Sequence, residues 1–561
     1  MQLGLLIASY ILFHIGLYGV FQKAGIPGWK ALVPVYGGIE WLKIIGRKPV
    51  YWLLFLIPIV NLFVLVSVIV DTYQSFGKYS FWEHFIGVVF APLYMIYLGF
   101  IDKSAQYLGP SVPEERAIKA ILKDYKKNKR PVPPQRKLRS RIAAAKKQGN
   151  TEEAARLEKE YTALYANPYH KSPAREWAEA ILFAVFAAHF IRSLLIEAFV
   201  IPTQSMEGSL LVGDFLFVSK WSYGIRLPMT PLTIPLIHNN IPGLGAESYT
   251  EAVKWDYRRI LGSTDQVEIG DPIVFNYPAG DTVLYSKNTG FLDYYNTQYQ
   301  AMSQGMLAPN DNMAQTFREN GYEVRTRPID KRDHYIKRSV ALPGQTIEVR
   351  DRTVYTDGKR IATPEHLQYQ YRIYGRVNDE KFEELRFNMD DVVRAAESQG
   401  FIVAHMDSSQ LKTLAALPSV DSIRVIEQPP SLYVYPHRPD YFRWSVDNFG
   451  PLTVPAEGMT IPLTPENVIL YRRAIEAYEG HRLEERDGNM YLDGQPATEY
   501  TFEQDYFFGM GDNRHNSVDS RMWGFIPSDH MVGKPLVVWF SVKDGNIRWR
   551  RIFRGAESIG E

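Results

Sequence analysis

The sequence predicts a fold in two parts: N-terminal transmembrane α-helices, followed by a mainly antiparallel β domain with large insertions. Two observations predict it. The first 200 residues contain four long apolar stretches, each close to the roughly 20 residues that a bilayer-spanning helix needs. From residue 202 onward, short runs rich in β-branched and aromatic residues alternate with Gly, Pro and Asp, which is typical of antiparallel strands joined by turns.

The four apolar stretches cover residues 2–20, 51–70, 81–100 and 177–200. The second stretch carries no charge. The fourth has its charges toward its ends, where a membrane interface tolerates them. The first stretch has neither the basic start nor the small-residue cleavage site of a removable signal peptide, so we interpret it as a retained span.

Basic residues predict the orientation of these spans. A dense run of Lys and Arg covers residues 123–148, and such residues favour the cytoplasmic side of a membrane. The predicted domains are therefore a transmembrane module of about three spans at 1–101, a basic cytoplasmic linker at 102–175, a transmembrane helix at 176–201 and an extracytoplasmic β-rich domain at 202–561.

Composition and missing motifs exclude several functional classes. The 63 Lys and Arg nearly balance the 62 Asp and Glu, so no net charge attracts nucleic acid, and we interpret the basic run as a topology signal. The chain has no cysteine, which removes disulfides, thiolate zinc sites and cysteine nucleophiles. It also lacks the G-x-S-x-G elbow, the P-loop and the H-E-x-x-H helix of common hydrolases and nucleotide-binding proteins.

Two polar stretches interrupt the β-rich part, at about 279–332 and 362–462, and we predict that they are insertions. The sequence assigns no function to either. The clearest strands predicted around them are residues 214–219, 271–275, 346–349 and 535–540.

A serine follows the fourth apolar stretch in a short loop. Residues 201–210 read Ile-Pro-Thr-Gln-Ser-Met-Glu-Gly-Ser-Leu, with Ser205 in the middle. A loop serine is most often a turn residue, so this segment alone does not identify a nucleophile.

A lysine lies between apolar residues in another predicted strand. Residues 335–344 read Tyr-Ile-Lys-Arg-Ser-Val-Ala-Leu-Pro-Gly and contain Lys337. A lysine that acts as a base near neutral pH needs its pKa lowered by about 2 to 3 units, which burial among apolar groups provides. Because neighbouring strand residues point to opposite faces, one of Lys337 and Arg338 can face a site while the other meets solvent.

The most specific motif is a polar turn at residues 509–525, which read Gly-Met-Gly-Asp-Asn-Arg-His-Asn-Ser-Val-Asp-Ser-Arg-Met-Trp-Gly-Phe. His515 and Asp519 in this turn raise the alternative of a Ser-His-Asp triad. We do not favour it, because the base and its orienting acid would both come from one short turn and still have to reach a distant serine.

Taken together, these segments resemble the bacterial signal peptidase I family, serine proteases with a Ser/Lys dyad that remove signal peptides from exported preproteins. The resemblance covers residues 192–228, 270–278, 334–349 and 506–540, in the order found in the family. Two positions depart from the family pattern: Gly208-Ser209 stands where Pro-Thr is expected, and His515 stands where Asp is usual.

The resemblance implies a role for each motif residue. Ser205 would be the nucleophile and Lys337 the general base, while the Thr203 hydroxyl and the Ser205 N–H would form an oxyanion hole. Ser517 would hydrogen-bond to Lys337 and orient it. Ion pairs that hold the site would come from Asp512, Arg514, Asp519 and Arg521, and the shallow apolar substrate pockets from Ile201, Pro202, Met206, Leu210, Tyr335 and Ile336.

The resemblance also implies surroundings and partners. We expect a multi-pass protein of the cytoplasmic (inner) membrane with its catalytic domain on the extracytoplasmic side. The expected partners are preproteins bearing signal peptides, the lipid bilayer and the secretion machinery, with no nucleic acid. The mechanism needs no metal or organic cofactor.

Two alternatives stay open. A different Ser/Lys protease, such as a self-cleaving repressor, would be a soluble DNA-binding protein, which the apolar spans argue against. A catalytically silent membrane scaffold would have no need for both Ser205 and Lys337 within intact motifs.

Overall fold

The computed structural model has two compact units, Met1–Phe183 and Ala184–Glu561. The residues that it describes are 2–57, 60–242, 246–260, 263, 265–286, 289–304, 306, 313–394 and 400–556.

The N-terminal unit is helical, and side chains such as Phe21, Leu42 and Tyr73 form a buried core between its helices. Arg47 Nε donates to Asp71 Oδ2 at 2.6 Å within this unit. The α-helices in the first part of the chain are Gln2–Lys23, Tyr36–Ile45, Val60–Ser75, Phe81–Val89, Ala91–Ile96, Ser111–Lys127, Gln135–Lys147, Thr151–Tyr165 and Pro173–Leu194, and the last of them crosses the boundary between the units.

Two of the predicted spans are not single helices. In residues 51–70, the 3₁₀ helix Pro49–Leu56 precedes an α-helix that begins only at Val60; residues 58–59 lie outside the described residues. In residues 81–100, the chain bends by 114° after Val89. The next helix has Pro92 in its first turn, where proline starts a helix but does not continue the preceding one.

In the part of the chain that the structure describes, one unbroken helix, Pro173–Leu194, is long and apolar enough to cross a bilayer, and the bent pair is a second candidate. The 22 residues of the helix Pro173–Leu194 correspond to a length of about 33 Å. The predicted helix 176–201 ends earlier than expected, because Ile196–Val200 forms a β-strand that pairs with Asp214–Ser219.

The second unit is built on a nine-stranded sheet in which all pairs are antiparallel. This confirms the predicted antiparallel β domain, and all four predicted strands are present. The spatial order is Ile196–Val200, Asp214–Ser219, Met531–Lys543, Pro272–Asn276, His334–Ala341, Tyr506–Met510 and Ile526–Pro527, with Asn546–Ile547 and Arg554–Gly555 paired to Met531–Lys543.

The two predicted insertions form sheets of their own. The first contains the strands Thr282–Ser286, Gly290–Asp293 and Glu323–Thr326. The second contains Tyr369–Gly375, Val393–Arg394, Phe401–Met406 and Val420–Val425. The remaining sheets are formed by Thr346–Arg350, Thr353–Thr356, Lys359–Arg360 and Phe449–Thr453; by Thr460–Pro462 and Glu499–Thr501; by Leu483–Arg486, Asn489–Leu492 and Gln495–Pro496; and by Ile225–Arg226 and Arg259–Ile260. The α-helices after the first strand are Tyr294–Ser303, Met313–Glu319, Asp379–Glu384, Ser408–Ala415, Pro465–Arg473 and Ser520–Trp523.

A buried charge cluster fixes the loop that leads into the second strand of the main sheet. Asp214 is fully buried and accepts hydrogen bonds from Arg551 Nη2 at 2.6 Å, Arg548 Nη2 at 3.2 Å and the Ser541 hydroxyl at 2.7 Å. Arg551 Nη2 also donates to the Ser209 carbonyl at 2.9 Å. The residues near the C-terminal end of the sheet therefore hold a loop more than 300 residues earlier.

Replacing Asp214 by asparagine should destabilise the second unit strongly. The change leaves two partly buried arginines without their carboxylate, and an uncompensated charge of this kind costs about 3 to 5 kcal/mol. Denaturant unfolding in detergent measures the loss. Asp440→Asn is the matched control, because Asp440 pairs with Arg438 at 2.7 Å on the surface and should change stability little. Equal unfolding midpoints for the two variants would contradict the role given to Asp214.

Candidate active site

Ser205 and Lys337 lie within hydrogen-bond distance of each other. Lys337 Nζ donates to Ser205 Oγ at 2.8 Å and to the Ile336 carbonyl at 2.9 Å. Ser205 lies in the one-turn 3₁₀ helix Gln204–Met206, whereas Lys337 lies in the strand His334–Ala341 of the main sheet. The fold thus brings together the two residues that the sequence motifs single out.

The environment of Lys337 favours its neutral form. The residue is 3% exposed, and this burial lowers the pKa of Lys337 to about 8. The Asp519 and Asp512 carboxylates act in the opposite direction and raise the pKa, whereas the positive charge of Arg521 lowers it further. A buried amine with such a pKa is partly neutral at physiological pH and about nine-tenths neutral at pH 9. Neutral Nζ can accept the proton of the adjacent hydroxyl.

Arg338 points to the other face of the strand, as predicted, but it does not meet solvent freely. Its guanidinium donates to both carboxylate oxygens of Asp512, at 2.8 and 2.6 Å, and to the Gly270 carbonyl at 2.6 Å. The expectation that one residue of the pair would meet solvent is wrong, because strand alternation fixes the face but not what packs on it. Asp512 itself is fully buried.

Asp519 and Arg521 form the second ion pair of the site. Arg521 Nε and Nη2 donate to the two Asp519 oxygens at 2.9 and 2.6 Å, and the Gly511 N–H donates to Asp519 at 3.0 Å. Arg514, which was expected to take part in these ion pairs, does not pair with a carboxylate among the described residues. Arg514 Nε donates instead to the Gly511 carbonyl at 3.0 Å, and Asp512 is taken by Arg338.

Ser517 is buried beside the nucleophile without the predicted hydrogen bond to Lys337. Among the described residues, Ser517 Oγ has no hydrogen-bond partner, because Lys337 directs its bonds to Ser205 and Ile336. A side-chain carbon on Gly511 would lie 2.2 Å from Ser517 Oγ and 2.4 Å from the Ser205 carbonyl. Gly511 therefore lets the last motif approach the nucleophile turn, where Asn513 N–H also donates to the Ser205 carbonyl at 3.1 Å.

His515 is not part of a Ser-His-Asp triad. Its Nε2 lies 2.7 Å from Asp447 Oδ1, and its Nδ1 accepts a hydrogen bond from the Gln370 N–H at 3.2 Å. Both ring nitrogens are occupied, and the carboxylate partner is Asp447, not Asp519. Against the effect of burial, the hydrogen bond from His515 keeps the pKa of Asp447 below its usual value. The imidazole thus fastens the last motif to the second insertion.

Ser205 and Lys337 open onto a cleft of about 590 Å³, which we name the catalytic cleft. The exposed Thr203 contributes its Oγ1 at 3.5 Å from Ser205 Oγ. Of the predicted pocket residues, Leu210 does not line the cleft; it is buried in the core beneath it. Those that do line it are Ile201, Pro202, Met206, Tyr335 and Ile336.

Two further residues that line the catalytic cleft belong to none of the sequence motifs. Asn388, from the second insertion, and Lys543, from the end of the strand Met531–Lys543, both line the catalytic cleft. Lys543 Nζ donates to Asn388 Oδ1 at 2.7 Å. Asn388 lies far from the motif segments along the chain, and Lys543 lies just beyond the last of them, which ends at residue 540. Only the folded structure places both residues beside the serine.

Comparison with known proteins agrees with these motifs. The sequence model of the family described as "Signal peptidase, peptidase S26" matches residues 174–399 and 470–540, which is more than half of the 561 residues. Residues 29–110 match a family of unknown function, DUF5684.

Several curated proteins named "Signal peptidase I" are similar to the chain. The protein from Buchnera aphidicola subsp. Acyrthosiphon pisum is 23% identical over 371 residues, covering 66% of this chain and 76% of the relative. The protein from Haemophilus influenzae is 24% identical over 375 residues, covering 66% and 72%. The protein from Rickettsia bellii strain OSU 85-389 is 24% identical over 413 residues, covering 70% and 88%.

Replacing His515 by aspartate should destabilise the protein in a pH-dependent way. The new carboxyl would face Asp447, and two buried like charges in contact cannot both ionise, so one folded-state pKa rises. Below the unfolded-state pKa of about 3.9 the new carboxyl is protonated in both the folded and the unfolded protein, so it costs no stability. As pH rises above that value the carboxyl ionises more readily in the unfolded protein, so the folded protein loses stability. We expect a loss of about 3 to 5 kcal/mol at pH 7, shrinking toward pH 4.

Denaturant unfolding between pH 4 and pH 8 measures this effect. His515→Asn is the matched control, because its amide can still donate to Asp447, and the double change His515→Asp with Asp447→Asn should recover much of the loss by restoring one donor. A His515→Asp variant as stable as the parent at pH 7 would show that the pair does not hold this turn.

Proposed function

This chain belongs to the signal peptidase family, peptidase S26, and from that premise we propose that it is a serine endopeptidase that cleaves signal peptides from preproteins with a Ser205/Lys337 dyad. The observation that carries the proposal is the 2.8 Å contact between Ser205 Oγ and the buried Lys337 Nζ. A buried amine with a lowered pKa, in contact with a hydroxyl, is the arrangement that an activated serine nucleophile requires.

In the proposed reaction, neutral Lys337 takes the hydroxyl proton while Ser205 Oγ attacks the carbonyl carbon of the scissile bond. The tetrahedral intermediate then collapses, the protonated amine gives its proton to the leaving nitrogen, and an acyl-enzyme remains. Water attacks this ester while Lys337 accepts its proton, and Lys337 then gives that proton to the leaving Ser205 oxygen, which releases the new carboxyl group and restores the dyad.

The oxyanion of the intermediate is assigned to the Thr203 hydroxyl and the Ser205 N–H. One preorganised donor of this kind is typically worth about 3 to 4 kcal/mol of barrier. The ion pairs of Asp512 and Asp519 act as supports, because they fix the last motif against the nucleophile turn. Ser517 supports the same turn by packing against Gly511.

Substrate binding is assigned to the apolar wall of the catalytic cleft. Ile201, Pro202, Met206 and Ile336 line it beside Ser205, and Met206 is fully buried. Shallow apolar walls of this kind accept small side chains of an extended peptide. The alternative of a silent scaffold offers no reason for a buried lysine in contact with a serine.

Cleavage of a preprotein should disappear in Ser205→Ala and in Lys337→Ala. Lys337→Arg should not rescue it, because a guanidinium stays protonated and cannot act as the base. In the parent, kcat/KM should rise with pH through about 8, so that activity at pH 6 is about a hundredfold below the plateau. Purified protein in detergent, assayed from pH 5.5 to pH 10, gives the profile.

Glu207 provides a control for this profile. It lies two residues after Ser205, and burial raises the pKa of Glu207 to about 7, with Asp391 adding to the effect. Glu207→Gln should leave the main inflection near pH 8 in place if Lys337 is the base. A profile that stays flat from pH 6 to pH 10, or undiminished cleavage by Lys337→Ala, would remove the dyad.

We further propose that the protein is anchored in the cytoplasmic membrane with its protease domain outside. The helix Pro173–Leu194 supports this, because Trp177, Ile181 and Phe183 on it are exposed apolar side chains, and such a surface suits lipid. In this arrangement residues 1–101 form about three spans, residues 102–175 lie in the cytoplasm, and the residues beyond 201 face outward, where the secretion machinery delivers preproteins.

The natural absence of cysteine allows a direct test of this topology. Ser140→Cys lies in the basic segment and Ser408→Cys in the second insertion, and both positions are exposed. A membrane-impermeant maleimide should label Ser408→Cys in intact spheroplasts but label Ser140→Cys only after lysis. Labelling of Ser140→Cys before lysis would reverse or abolish the proposed orientation.

A further inference from the structure

A second cleft, which we name the aromatic cleft, lies beside the catalytic cleft and has a volume of about 410 Å³. Its walls come from the first insertion, the second insertion and the last motif. Five of its lining residues are large aromatics: Tyr277, Tyr295, Tyr299, Tyr433 and Trp523.

Ring contacts hold the two insertions together around this cleft. Tyr299 of the first insertion stacks on His437 of the second, with ring centroids 3.8 Å apart and planes at 17°. Arg473 lies over the Tyr295 ring at 4.4 Å and donates to Asp281 at 3.2 Å. The wall contributed by Tyr433 and His437 belongs to residues 400–469, which lie outside the match to the peptidase S26 family. One wall of the aromatic cleft therefore comes from residues that the family model does not match, whereas its other lining residues lie within the match.

The two clefts meet at the turn that follows His515. Val518 lines both of them and is 44% exposed. The residues on its N-terminal side divide between the clefts, since Asn516 lines the catalytic cleft and Ser517 the aromatic cleft. An extended peptide that leaves Ser205 along this turn passes over Val518 and enters the aromatic cleft.

The lining of the aromatic cleft selects for charge as well as for shape. Among the described residues that line it there is no Asp or Glu, whereas Arg473 and Arg514 are both present. Aromatic walls favour apolar and aromatic side chains, which bury their area there. A lysine or arginine would meet positive charge and find no carboxylate in the lining, and burying such an unpaired cation is costly.

We propose that the aromatic cleft is a second substrate subsite, which binds an apolar or aromatic side chain of the preprotein at a short distance from the scissile bond and rejects a cationic one. This inference rests on the proposed function, since it assigns a further part of the same substrate to a neighbouring site. It gives the two insertions a shared role in selecting preproteins.

The test uses the full-length protein in detergent and a set of peptides that share one cleavage site. In each peptide one residue, within about six positions of the scissile bond on either side, is Phe, Ala or Lys; six residues of extended chain span about 20 Å. At one position, or at two adjacent ones, kcat/KM should be about tenfold or more higher for Phe than for Lys, the discrimination that one hydrophobic pocket supplies.

Tyr433→Ala removes an aromatic wall far along the chain from the dyad and should reduce this Phe-to-Lys ratio several-fold. The peptide that carries Ala at the varied position should be cleaved equally well by the variant and by the parent. This comparison distinguishes a specific loss of the Phe-to-Lys ratio from a general loss of structure, which would reduce cleavage of every peptide. Tyr441→Ala is the matched control, because Tyr441 is 54% exposed and does not line the cleft. It should keep the ratio.

The possible outcomes separate the two proposals. If no peptide is cleaved, the proposed function fails. If all are cleaved but no position distinguishes Phe from Lys, or if Tyr433→Ala and Tyr441→Ala keep the same ratio as the parent, the aromatic cleft is not a substrate subsite.

Discussion

The site depends on keeping one buried amine uncharged beside two buried carboxylates. Asp512 and Asp519 both raise the pKa of Lys337, against the burial that lowers it. Each carboxylate, however, is bound through both oxygens by its own arginine, Arg338 or Arg521. The arginines neutralise the charge that would otherwise hold a proton on Lys337. The ion pairs are therefore part of the electrostatics of the base as well as supports for the turn.

The strand pattern predicts the antiparallel domain, and the resemblance of the short motifs to a known family predicts the Ser205/Lys337 dyad. Ser205 and Lys337 were identified in this way, and the strand at residues 214–219 has the predicted bounds. The partner of Asp512 was missed, because strand alternation places Arg338 on a face without saying what packs there. The helix expected to reach residue 201 ends at Leu194, since residues 196–200 gain more by pairing with a strand that sequence proximity does not reveal. The insertions carry no motif, so neither Asn388 in the catalytic cleft nor the insertion residues that line the aromatic cleft were predictable.

His515 shows how a departure from a family pattern is accommodated. The carboxylate that receives its imidazole is Asp447, which lies in residues 400–469, outside the family match. Histidine in the last motif and aspartate in the insertion thus form one unit across two parts of the chain. Restoring the usual family residue at position 515 alone would set two carboxylates against each other, so the motif and the insertion have to be considered together.

The order of strands in the main sheet has a consequence for when activity can appear. The strand Met531–Lys543 lies between Asp214–Ser219 and Pro272–Asn276. Arg551, which follows this strand in the chain, donates a hydrogen bond to the loop after the nucleophile turn. The ribosome makes these residues after the strands on either side of them, so the sheet closes only once residues 531–551 have emerged. Contacts between such distant segments also form slowly. A chain that ends before residue 531 lacks the strand that joins the serine side of the sheet to the lysine side, so we expect no assembled Ser205/Lys337 site in it.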